Sequence, residues 1–149
     1  MHRTPLLLIA AIAVALIAST TATATDATLR TTVNAWSKKI GADAHLIALA
    51  AQQRHPRRMT SDAGRFHTDA FHARAAIATQ KPSTAKGQRA RRLALTAFSD
   101  YALAGTKWAA SGLARLAHHR SASIAYANAG AAYAHTADKL LLTAGKLLG

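Results

Sequence analysis

The chain has 149 residues, half of them hydrophobic and only 5% aromatic, with 19 Lys+Arg against 6 Asp+Glu and a formal net charge of +13. That length suits one domain, and the lack of cysteine excludes disulfides, thiol catalysis, Cys-based zinc sites and Cys-attached haem. Every acid is Asp, which excludes the Glu-based di-metal sites of helical bundles, while the cationic surplus favours partners such as nucleic acid, anionic lipid or acidic envelope polymers.

Residues 1–24 read as a signal peptide. Met1-His2-Arg3 are a positive start, Leu6 to Ala18 are apolar, and Ala22-Thr23-Ala24 matches the small-x-small rule for cleavage after Ala24. The apolar run is shorter than the roughly 20 residues that span a bilayer. Retention as a membrane anchor through residues 6–18 is the alternative. No Cys follows the run, so a lipoprotein anchor is excluded. The expected location is secreted or extracytoplasmic, in the cell envelope.

From Thr25 to Gly149 the apolar periodicity is helical and no alternating β-branched run occurs, so residues 25–149 are expected to form one helical domain. Helix 1 is expected over about 26–54, capped by Asp26, with Leu29, Val33, Trp36, Ile40 and Ile47 on one face. Lys38-Lys39-Ile40-Gly41 resembles a helix end, which suggests a kink near Gly41. His55-Pro56 ends the segment. Helix 2 is expected over about 60–80, capped by Ser61 or Asp62, with Met59, Ala63, Phe66, Ala70, Ala73 and Ile77 in its seam. Lys81-Pro82 separates it from helix 3, about 84–118, starting near Ser83. The seam there reads Leu95, Phe98, Ala102, Gly105, Ala109, Gly112 and Leu116, with Tyr101 and Trp108 at its edge. Helix 4, about 121–148, carries Tyr126, Gly130, Tyr133, Ala137, Leu140, Ala144 and Leu147. Four amphipathic segments with short links predict an all-α, antiparallel up-down-up-down four-helix bundle preceded by the signal-peptide helix. The seven-residue repeats predict packing near 20°. Trp36 and Phe98 are expected to be core residues whose truncation to Ala costs about 3–5 kcal/mol.

The chemistry-bearing residues point away from catalysis. No two of the eight His residues have the three- or four-residue spacing that shares a helix face, and the Asp–His pairs Asp69/His72 and His135/Asp138 read as solvent-facing. No metal or cofactor is expected, and six scattered Asp suit no paired-carboxylate mechanism. Ser111-Gly112 lacks the first glycine and the strand of a nucleophile elbow. Asp43 falls in the helix 1 seam, either as a local cap or as a buried carboxylate paired with an Arg of another helix.

Charge distribution is the remaining signal. The predicted topology brings Arg54, His55, Arg57, Arg58, Arg65, His67, Arg115, His118, His119 and Arg120 to one pole, with Asp62 as its evident acid. Lys81, Lys86, Arg89, Arg91 and Arg92 gather at the other. Imidazoles gain charge on acidification, so anion binding at the first pole is expected to tighten as pH falls. The function expected is that of an exported, non-enzymatic interaction or structural protein whose basic poles bind an anionic envelope polymer or acidic protein. Two other readings compete: a binder of extracellular DNA, and a bundle carrier of a small apolar ligand or haem.

Overall fold

The computed structural model describes residues 5–149, with side chains described from Thr25 onward. Four helices follow one another, α1 (Pro5–Gln52), α2 (Pro56–Ala78), α3 (Ala85–Leu116) and α4 (Arg120–Leu148), and among the described residues there is no strand. The side chains of the expected leader and its cleavage site lie outside the described residues. Among the described residues, no helix is long and apolar enough to cross a membrane.

The helices form a bundle in which successive elements are antiparallel neighbours. Asp43 and Lys39 of α1 meet Arg65 and Asp69 of α2 in reversed order. α3 lies along both α2 and α4, whereas α1 leans mainly on α2 and meets α4 only sparsely. The core contains Leu29, Val33, Ile40 and Ile47 from α1, Phe66 and Ile77 from α2, and Phe98 and Tyr101 from α3. Phe66 is the hub, edge-on to Tyr101 and Trp108 with ring centroids 5.7 and 5.3 Å away. Phe98 is fully buried, but Trp36 is only partly so.

Several element boundaries differ from the sequence expectation, each for a local reason. α1 runs unbroken through Gly41, whose open side faces no neighbour. It starts well before Asp26, so Asp26 is not its cap. That carboxylate instead accepts a hydrogen bond from Thr84, the N-cap of α3, whose hydroxyl also takes the Gly87 amide at 2.9 Å. α2 begins at Pro56 rather than near residue 60. Proline's fixed φ and missing N–H suit a first helical position, so the residue that ends α1 also opens α2. Ser61 and Asp62 are therefore interior, and Asp62 is buried. α3 stops at Leu116, short of the expected 118.

The seams of α3 and α4 are built from smaller residues than the largest apolar side chains suggest. On α3, Ala90, Ala97, Ala104 and Ser111 are buried at seven-residue steps, and on α4 so are Ser123, Gly130, Ala137 and Ala144. The Ser111 hydroxyl donates to the Ser123 carbonyl at 2.8 Å, and a Cβ on Gly130 would meet the Ala104 carbonyl at 3.1 Å. The two rows therefore face each other. A second row on α3, Phe98, Gly105 and Gly112, turns to α2, where a Cβ on Gly105 would strike the His67 backbone nitrogen at 2.9 Å. Tyr101 lies between the rows and is buried, not peripheral. Leu95, Ala102 and Ala109 are only partly covered, while Leu116 and Tyr126 are 39% and 40% exposed.

The two helical hairpins repeat one plan. In the first turn the amides of Arg54, His55 and Met59 bond the carbonyls of Ala51, Ala50 and His55. In the second, those of His118, His119 and Ser123 bond Arg115, Ala114 and His119. Buried positions correspond as well: Val33 with Ala97, Ile40 with Ala104, Phe66 with Gly130. At these three positions a large residue in the first hairpin has a small one in the second. Helix separation follows side-chain size, so α3 and α4 pack closely while α1 and α2 stand further apart.

Candidate anion-binding tip

Each hairpin turn ends its first helix with a non-glycine residue in the left-handed region, Arg54 at φ 56° and His118 at φ 61°. The paired amide bonds just described make both turns Schellman caps, where glycine is the usual occupant because a Cβ is disfavoured there. Their successors, His55 and His119, are the N-caps of α2 and α4, and neither makes a side-chain capping bond. No acid occupies the first turn of either helix. Arg57, Arg58 and Arg120 stand there, against the positive ends of the two helix dipoles.

Arg54, Arg115, His118 and Arg120, with Ser123 and Ile124, surround a hollow of about 560 Å³. An adjoining hollow of about 550 Å³ is lined by His55, Pro56, Arg57, Arg58 and Leu116. No acidic residue lines either one. The structure thus brings together seven of the residues singled out in the sequence around two hollows at one end of the molecule, with His119 beside them as the α4 N-cap.

Arg65 and His67 do not belong to this tip. They lie roughly two and a half turns inside α2. Arg65 bonds Asp43 at 3.1 Å and Asp62 at 3.2 Å. His67 Nδ1 sits 2.9 Å from the Ala102 carbonyl of α3. Asp62 lies beside Arg65 and also 3.6 Å from Arg58, so one arginine of the tip already has a carboxylate partner. At the far end Arg91 donates to the Ile77 and Ala78 carbonyls and so closes the C-terminus of α2.

The acids form a different constellation. Asp43, Asp62 and Asp69 are all buried on the α1–α2 face, laced to Lys39, Arg58 and Arg65. This is the buried-carboxylate alternative for Asp43, and it removes Asp69 from the solvent-facing pair expected with His72. Burial, then a hydrogen bond with Asp69, raises the Asp43 carboxyl above its ordinary value despite Lys39 and Arg65. Burial alone raises Asp69 too, but hydrogen bonds from Lys39 and Asp43 and the charges of Lys39 and His72 hold it below. The same contact with Asp69 raises the Lys39 ammonium. On α4, Asp138 accepts from the Tyr101 hydroxyl, and burial followed by that bond keeps the phenol protonated. Ser111 is engaged with Ser123 and is structural.

Among the described residues, no three His or Asp side chains are grouped as metal ligands. A hollow of about 460 Å³ between α1 and α4 is lined by Ile40, Ala44, Tyr101, Trp108 and Leu141 among others, with no His or Met in its wall. Sequence inspection missed the apolar side chains at the basic tip, Leu116 and Ile124. For Leu116 the signal is an apolar residue beside Arg115 at a helix end, which a heptad template absorbs into the seam; Ile124, between Ser123 and Ala125, carries no such signal. Comparisons of the chain with protein-family models, curated proteins and solved structures find no match.

Proposed function

We propose that the protein is an exported, non-enzymatic interaction protein, an up-down-up-down bundle that loses residues 1–24 and binds an anionic partner of the cell envelope through the tip formed by the two hairpin turns. The observation that carries this reading is the hollow of about 560 Å³ bounded by Arg54, Arg115, His118 and Arg120 with no carboxylate in its wall. Like charges gathered against two helix N-termini repel one another, and an incoming anion relieves that repulsion. Guanidinium groups suit phosphate and carboxylate oxygens through paired hydrogen bonds. The tip holds three of the four imidazoles expected there, His55, His118 and His119.

Binding of the full chain to polyphosphate tests the proposal. Affinity should fall steeply between low and physiological salt. Affinity indifferent to salt contradicts it.

A further inference from the structure

The basic tip is not purely polar. Leu116, 39% exposed, lines the second hollow, and Ile124, 52% exposed, lines the first. Pro56 adds a partly exposed ring to the wall of the second hollow. These side chains lie among Arg54, Arg57, Arg58, Arg115 and Arg120, all exposed. A hydrophilic polyanion uses the arginines but gains nothing from projecting leucine and isoleucine. A cationic surface with projecting apolar side chains matches an interface where anionic headgroups overlie hydrocarbon.

Resting on the reading of this tip as an anion-binding surface, we infer that its partner is an anionic lipid bilayer, with the arginines on headgroup phosphates and Leu116 and Ile124 entering the interface. The docking is end-on. The bundle axis then stands away from the membrane plane, and the far end, with Lys81, Lys86 and Arg89, is directed outward. The aliphatic stems of the arginines run along the apolar side chains while their heads stay at phosphate depth. The match is one of charge and polarity together: Leu116 stands with Arg57 and Arg58 around one hollow, and Ile124 with Arg54, Arg115 and Arg120 around the other.

The experiment measures partitioning of the chain from Thr25 onward, the form the proposed function describes, onto vesicles of pure zwitterionic lipid and of the same lipid with anionic phosphatidylglycerol, alongside binding to polyphosphate. Anionic vesicles should bind the wild type more tightly than zwitterionic ones. Arg120→Ala should weaken both vesicle and polyphosphate binding, roughly fivefold on vesicles. Leu116→Ser with Ile124→Ser should weaken vesicle binding roughly tenfold or more and leave polyphosphate binding unchanged. Both sites are exposed, and an unaltered melting profile checks that the fold is intact. If polyphosphate binds through the arginines but the serine variant partitions onto vesicles like the wild type, the membrane inference is overturned and the anion-binding tip stands. If Arg120→Ala changes neither, both are overturned.

Discussion

Arg54 and His118 hold left-handed backbone where glycine is the unstrained choice, at a cost of about 1 kcal/mol each. The two positions are equivalent in the two hairpins, and both side chains line one hollow. Local stability is therefore given up twice at the place where charge collects. His118→Gly should raise the free energy of unfolding by up to about 1 kcal/mol in urea denaturation while weakening polyphosphate binding. A destabilised His118→Gly contradicts the strain argument. Glycines in the interior behave in two opposite ways. At Gly130 a Cβ would lie 2.6 Å from the Trp108 ring, whereas at Gly41 it would meet nothing. Gly130→Ala should destabilise by about 1–3 kcal/mol, and Gly41→Ala should stabilise by about 0.5–1 kcal/mol, both read from urea midpoints.

At the scale of elements, the α1–α2 interface is charged as well as apolar, and its carboxylates titrate in opposed senses. The folded Asp69 carboxyl lies below 3.8, so its contribution is present above that pH and is lost as pH falls through the folded value. The folded Asp43 carboxyl lies above 3.8, so its contribution is full below that pH and is lost as pH rises through the folded value. Asp69→Asn should therefore cost about 1–2 kcal/mol at pH 7, the worth of a charged hydrogen bond whose ammonium stays in water, and should remove the loss of stability below pH 4. Asp43→Asn should cost less at pH 7, and the comparison is made by urea unfolding at pH 7 and pH 3. Helix number, order and the faces of α1 and α2 were legible because their core side chains are large. Leu29, Val33, Ile40, Ile47, Phe66 and Ile77 mark their positions by hydropathy alone. The faces of α3 and α4 were less legible, since their contacts are made by Ala, Gly and Ser, whose burial depends on the helix opposite. Pro56 was read as a terminator when its chemistry equally opens a helix, and Asp43 was ambiguous because its partner Arg65 lies on another element. Of the tip, the turn residues were legible from their place at helix ends. Arg65 and His67 were not excluded because the true start of α2 pushes them inward.

For the whole molecule, the two hairpins share a turn geometry and divide the work of packing. The first supplies bulky core and buried carboxylates paired with half-exposed cations, while the second supplies small residues that let α3 and α4 close together. The common turn brings two helix N-termini and their arginines to one end, where Arg54, Arg57, Arg58, Arg115 and Arg120 stand around the two hollows. The claim that binding belongs to this tip, and not to overall charge, is tested most directly by two charge-matched variants. One carries Arg54→Ala, Arg115→Ala and Arg120→Ala, the other Lys81→Ala, Lys86→Ala and Arg89→Ala at the far end. Polyphosphate affinity is measured as a function of salt. The tip variant should lose at least roughly tenfold in affinity and about three from the slope of log affinity against log salt, while the far-end variant stays near wild type. Equal losses in the two variants would contradict a localised site.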